Sequence, residues 1–267
     1  MEKTMREKDY SLLDSPGVLQ YLFHPRAENP ILYGMSAERD IFIPVEKDIM
    51  IGAAFYMEKK ENPNILFFHG NGEIVADYQE MGPLYNQLGL NFLAADYRGY
   101  GRSDGSPTVS SMMRDCRSIF EFTCRWLREN AYSGPVIVMG RSLGSASALE
   151  LASQYADQMD GLIIESGFAH TLPLLRLLGA QTEGLEEKSA FCNRDKIGNY
   201  KGPVLIIHGE NDHIIPFSDG QALYDACISD NKTLLAIPRA DHNNLLHTGF
   251  REYMAAVKTL ADNCRNM

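Results

Sequence analysis

The chain has 267 residues, of which 45% are hydrophobic and 22% charged. That is ordinary globular usage and excludes a disordered, collagenous or fibrous protein. Asp and Glu outnumber Lys and Arg by 35 to 25, a formal charge of −10 that repels phosphate backbones and argues against nucleic-acid partners. A single domain over 1–267 is the expectation for this length. No apolar run approaches the roughly 18 residues of a membrane span. The charged start, Met1 to Tyr10, does not read as a signal peptide. Cys116, Cys124, Cys192, Cys227 and Cys264 lack C-x-x-C spacing, which points to reduced thiols, and so to a cytoplasmic location, rather than to disulfides or a zinc site.

The first forty residues carry turn signals at Ser15-Pro16-Gly17, His24-Pro25 and Asn29-Pro30 and little else. Ile41–Pro44 and Met50–Tyr56, joined through Glu46-Lys47-Asp48, predict an antiparallel hairpin. Continuous apolar runs then recur: Ile65–Phe68, Phe92–Ala95, Val136–Met139, Leu162–Ile164, Val204–Ile207 and Thr233–Ile237. Most lack period-2 alternation, as expected of strands buried on both faces of a mainly parallel sheet. Between them lie segments of helical spacing. After Ser110, Met113, Cys116, Ile119, Phe120, Thr123, Trp126 and Leu127 share one face. Ser218–Gln221 reads as a capping box, followed by Ala222, Leu223 and Ala226. Phe250, Tyr253, Met254, Val257, Leu260 and Ala261 mark a last amphipathic helix. The pattern predicts an α/β fold with about eight strands and right-handed crossovers. Residues 167–201, apolar from Thr171 to Leu178 and then polar, exceed one crossover helix. They read as a small cap over the sheet's C-terminal edge, with an irregular crossover as the alternative.

Gly140-Arg141-Ser142-Leu143-Gly144 follows an apolar run and precedes a segment rich in small residues, which places G-x-S-x-G on a strand, a sharp turn and a helix. Such a turn exposes the Ser142 hydroxyl at a helix N-terminus that favours developing negative charge. A serine hydroxyl needs a base to take its proton, and the base needs an acid to orient it. Asp212 lies just past the run Val204–Ile207 with Glu210 as its rival, and His242 lies just past Thr233–Ile237 with His208, His213 and His247 as competitors. Both positions fall at carboxyl ends of strands, where active sites of open α/β sheets gather. Asp241, beside the histidine, is expected to point elsewhere. An oxyanion needs two donors. The backbone N–H groups of Leu143 and of Asn71, in His69-Gly70-Asn71-Gly72-Glu73, are the candidates, with His69 a structural hydrogen-bonder.

With these residues the chain resembles the α/β-hydrolase superfamily over roughly 40–265. Within it, His69-Gly70-Asn71-Gly72, Asp96-Tyr97-Arg98-Gly99-Tyr100-Gly101-Arg102-Ser103-Asp104-Gly105, Gly140-Arg141-Ser142-Leu143-Gly144 and His208-Gly209-x-x-Asp212 are similar to Bem46-like and serine aminopeptidase (S33)-type sequences. The resemblance implies an α/β-hydrolase fold and serine hydrolase activity, with the order Ser, acid, His kept here. It also implies a mostly structural role for Asp96–Gly105. Where the family ends on small-Gly-His-Asn-Asp, this chain has Ala240-Asp241-His242-Asn243-Asn244. Related sequences include depalmitoylases that carry an N-terminal anchor or a lipidated cysteine cluster; neither is read here.

The expected function is therefore a serine hydrolase cleaving a small-molecule carboxylic ester or thioester through Ser142, His242 and Asp212. No metal or organic cofactor is required. Leu172, Leu174, Leu175, Leu177 and Leu178 either line an acyl pocket or pack the cap on the core. A peptidase or amidase with the same triad is the alternative, with Glu183, Glu186 or Glu187 as anchor for an amino group. A non-catalytic binding protein on the same scaffold is a third reading.

Overall fold

A computed structural model describes residues 8–29, 36 and 39–265. Residues 1–7 of the charged start and Pro30 of one turn signal lie outside the described residues. The apolar runs form one sheet: β1 (Asp40–Glu46), β2 (Ile49–Tyr56), β3 (Asn64–Phe68), β4 (Asn91–Ala95), β5 (Val136–Arg141), β6 (Gly161–Glu165), β7 (Val204–Gly209) and β8 (Lys232–Ile237). Their spatial order is β1-β2-β4-β3-β5-β6-β7-β8. β1 and β2 pair antiparallel, β2 joins β4 antiparallel, and the pairings from β4 to β8 are parallel. Every residue of β3, β4, β6 and β7 is buried, as their unbroken apolar runs require, whereas the edge strand β8 is largely half-exposed.

Helices cover both faces: α1 (Pro16–Leu22), α2 (Met81–Gln87), α3 (Val109–Glu129), α4 (Gly144–Gln154), α5 (Thr171–Leu177), α6 (Asn193–Ile197), α7 (Phe217–Ala226), α8 (Leu245–Thr248) and α9 (Phe250–Arg265). Successive strand residues point to opposite faces, so the strands from β2 to β8 feed two cores. Leu66, Phe68, Val138, Val204 and Ile206 pack with residues of α1, α3 and α4. Ile65, Phe67, Ile137, Met139, Leu205 and Ile207 pack with Tyr85, Tyr253, Met254 and Val257 of α2 and α9. Along α3 the expected apolar stripe is buried except for the half-buried Trp126. Thr108 caps this helix, its hydroxyl accepting from Ser111 N at 3.0 Å while Ser111 Oγ accepts from Thr108 N at 2.9 Å.

Two local expectations fail. Ser218 caps nothing: Pro216, extended at φ −59° and ψ 147°, occupies the cap position and α7 starts at Phe217, so the Ser218 amide already lies inside the helix. Phe250, at the first position of α9, is 42% exposed, while Tyr253, Met254, Val257, Leu260 and Ala261 form the buried stripe.

Residues 167–201 carry α5 and α6. The segment is tied to the core through a buried ion pair, Lys196 Nζ to Glu150 Oε2 of α4 at 2.9 Å, and Tyr10 OH donates to the same oxygen at 2.7 Å. Asp96–Gly105 is an architectural loop. Arg98 donates to both oxygens of Asp115 at 2.6 and 2.8 Å, Met50 N donates to Asp104 Oδ2 at 2.9 Å, and a side chain at Gly101 (φ +56°) would run into Asp96. All five cysteines are free. Among the described residues no helix is long and apolar enough to cross a membrane.

Candidate active site

Strand order reverses direction about β3, whose chain neighbour β4 lies on one side and β5 on the other. A crevice opens at the carboxyl ends of strands at such a switch point. Phe68 pairs with Gly140, so the loop His69–Glu73 and the turn after β5 meet there.

That turn is tight because two glycines allow it. A Cβ at Gly140 would lie 2.2 Å from Gly144 O, and one at Gly144 would lie 2.1 Å from Phe68 O. Between them Ser142 is held at φ 52°, a left-handed conformation that costs an ordinary residue about 1–2 kcal/mol. Its backbone N–H donates to Glu165 O at 2.8 Å, which ties the turn to the end of β6. The strained turn aims Oγ at the loop after β8, and His242 Nε2 stands 2.9 Å from it. His242 Nδ1 is 2.7 Å from Asp212 Oδ2. With its proton on Nδ1 the imidazole donates to Asp212 and accepts from the Ser142 hydroxyl. All three residues are buried.

Asp212 is itself fixed. Its Oδ1 accepts from Ile214 N at 3.0 Å and Ile215 N at 2.8 Å. Burial pushes its pKa up, but hydrogen bonds from His208 and His242 outweigh burial and hold the carboxyl well below the usual carboxylate range. The rival Glu210 is exposed. His208 is a strand-end histidine whose Nε2 lies 2.8 Å from Ile215 O. His213 is exposed, and His247 sits in α8. Asp241 turns onto its own loop, its Oδ1 accepting from Asn243 N and Asn244 N at 2.8 and 2.9 Å. His69 stays structural, with Nδ1 2.8 Å from Gly70 O.

Asn71 and Leu143 both line the cavity in front of Ser142. The Asn71 side chain is engaged elsewhere: its Oδ1 accepts from His24 N at 2.8 Å and Tyr100 OH at 2.7 Å. The cavity measures about 240 Å³, with Tyr21, Leu22, Phe168, Leu174, Leu178 and Ile215 forming most of its apolar wall. Leu174 and Leu178 thus face the cavity, whereas Leu172 and Leu175 are core residues and Leu177 is exposed. Glu187 accepts from the backbone N–H groups of Thr171 and Leu172 at the start of α5, Glu183 and Glu186 are exposed, and none of the three lines the cavity.

Residues the sequence reading passed over complete the wall. Tyr21, Leu22 and His24 come from the uninformative N-terminal stretch, and Glu73 and Arg141 form a half-buried ion pair at 2.7 Å beside His242. A charged residue inside the G-x-S-x-G turn was the available signal for that pair. Among the described residues no cluster of three or more His, Cys, Asp or Glu has a metal-holding arrangement.

A family model described as serine aminopeptidase, S33, matches residues 59–178. The chain is 30% identical over 186 residues to the lysophosphatidylserine lipase ABHD12 of Danio rerio, covering 62% of this chain and 48% of that one. It is 28% identical over 194 residues to the protein bem46 of Schizosaccharomyces pombe, covering 69% and 63%. The match thus spans about half to three fifths of these relatives' length. The esterase Pf2001 of Pyrococcus furiosus superposes with a TM-score of 0.71 over 90% of this chain and 97% of that one, at 17% identity. The chain has the α/β-hydrolase fold and is similar in sequence to members of that superfamily. Its sheet order, its turn after β5 and its crevice are those of an α/β-hydrolase, and within the superfamily it is similar to Bem46-like and S33-type sequences.

Proposed function

We propose that the protein is a serine hydrolase that cleaves a carboxylic ester or thioester of a small acyl group. The observation that carries the reading is the hydrogen-bonded row Ser142 Oγ, His242 Nε2, His242 Nδ1 and Asp212 Oδ2, at 2.9 and 2.7 Å, opening on an apolar cavity. In this reading Ser142 Oγ attacks the acyl carbonyl as His242 Nε2 takes its proton, and the Asp212 carboxylate stabilises the imidazolium. The oxyanion accepts from the N–H groups of Asn71 and Leu143, each donor contributing about 2.7–4 kcal/mol to the barrier reduction. His242 returns the proton to the leaving alcohol or thiol. Water, activated by the same histidine, then releases the acid from the acyl-enzyme.

Residues 167–201 act as a small cap, roofing the acyl site through Leu174 and Leu178. At about 240 Å³ the cavity is smaller than the roughly 300–1,000 Å³ of common ligand sites, which suits a short to medium acyl chain. An ester is favoured over a peptide because Glu183, Glu186 and Glu187 do not line the cavity, and Glu73, which does, is paired with Arg141.

Hydrolysis of p-nitrophenyl esters of graded acyl length, with a thioester and an amino-acid anilide alongside, tests the proposal in wild type and Ser142→Ala. Ester or thioester turnover with a short to medium optimum, abolished by the substitution, is expected. Equal activity in both proteins, or anilide turnover above ester turnover, overturns it.

A further inference from the structure

Arg141 precedes Ser142 and is only partly exposed, and its guanidinium ends on three different segments. Nη1 lies 2.7 Å from Glu73 Oε1, in the loop that carries Asn71. Nε lies 3.2 Å from Glu165 Oε1 at the end of β6. Nη2 donates to the backbone carbonyl of His242 at 2.8 Å. Each partner is itself wired into the site. Glu73 Oε2 accepts from Gly70 N at 2.7 Å and Tyr78 OH at 2.6 Å, which fixes the loop beside Asn71. Glu165 accepts from Tyr253 OH at 2.7 Å through its side chain and from Ser142 N at 2.8 Å through its carbonyl.

The sheet supplies the register for this hub. Arg141 and Glu165 are paired positions of β5 and β6, and a side chain at Gly70 would strike both the guanidinium and Glu73. The planar fork of Arg holds several acceptors in fixed directions, whereas a Lys ammonium is a point charge on a flexible stem. Arg141 already has two carboxylate partners, so its bond to a neutral carbonyl of His242 adds geometry rather than ion pairing.

We propose that Arg141 is a positioning residue: it clamps the His242 loop and the Asn71 loop to the turn that carries Ser142, so that base, nucleophile and oxyanion donor keep one geometry. The proposal rests on the triad reading given above. A misplacement of about 1 Å in such a constellation costs on the order of 100-fold in rate.

The test is steady-state kinetics of Arg141→Lys and Glu73→Gln, with active sites counted by stoichiometric labelling with a fluorophosphonate. Arg141→Lys is expected to lower kcat per labelled site about 100-fold while KM stays within about threefold. Glu73→Gln, which frees one arm of the clamp, is expected to lower it about tenfold. A purely structural role lowers the number of labelled sites and leaves kcat per site unchanged; that result overturns the proposal. If Arg141→Lys does not fold, Glu73→Gln decides alone, and an unchanged per-site kcat there counts against the clamp. Failure of wild type to react with the fluorophosphonate refutes the triad reading itself. A reactive wild type with a full-rate Arg141→Lys refutes only the role of Arg141.

Discussion

Gly144→Ala puts the geometry of the nucleophile turn to a quantitative test. In an ordinary helix Gly to Ala gains up to about 1 kcal/mol from propensity. Gly144 is the first residue of α4, but an added Cβ would stand 2.1 Å from Phe68 O, 2.6 Å from Phe68 C and 2.8 Å from His69 O. These are backbone atoms that cannot rotate away. Overpacking against a rigid neighbour costs about 1–3 kcal/mol, and the upper end applies here. The net expectation is a loss of about 2 kcal/mol, which in a chain of this size lowers Tm by roughly 4–8 °C. The displaced segment leads directly to Asn71, so the oxyanion donor moves as well and kcat should fall by about 10²-fold or more. Urea melts, thermal scans and ester kinetics measure all three effects. Gly17→Ala in α1 is the control: an added Cβ there would meet no atom within 4 Å, so stability should rise by about 0.5–1 kcal/mol. A Gly144→Ala protein as stable and as active as wild type would refute the close-packed turn.

Asp212→Asn should lower kcat by about 10⁴-fold, read in ester hydrolysis, because the amide cannot hold His242 in the required tautomer. The same substitution changes acid stability. The folded pKa of Asp212 is depressed, so its contribution is present above the ordinary carboxylate value of about 4 and is lost as pH falls through the folded value. Urea midpoints of Asp212→Asn should therefore depend less steeply on pH below about 4 than those of wild type. Lys196→Met strands Glu150 in the core and should cost about 3–5 kcal/mol in denaturant melts, while Lys196→Met with Glu150→Leu recovers much of the loss. Leu174→Trp narrows the cavity and should move the acyl-chain optimum to shorter esters, measured as kcat/KM across the series.

The parts of this protein that are local in sequence were legible there. Each central strand is buried on both faces and so must be an unbroken apolar run, which Ile65–Phe68 and Val204–Ile207 display. Ser142 and Asp212 each follow such a run and His242 follows the apolar run of the half-exposed edge strand β8, and the fold brings them together because all three loops leave the same edge of a parallel sheet. What stayed hidden depends on distant contacts. Tyr21, Leu22 and His24 reach the cavity because α1 packs beside α5, a contact with no periodic signature. Arg141 looked like the variable position of a motif, and only the register of β5 against β6 and the return of the His242 loop give its guanidinium three acceptors. The Ser218 cap failed for a nearer reason: Pro216 takes the cap position and the helix starts one residue ahead of Ser218.

Covalent labelling with a fluorophosphonate followed by peptide mapping tests the assignment of the nucleophile most directly. One adduct per chain is expected, on Ser142, absent from Ser142→Ala and formed far more slowly in His242→Ala. An adduct on another residue, or equal labelling of wild type and Ser142→Ala, would contradict it.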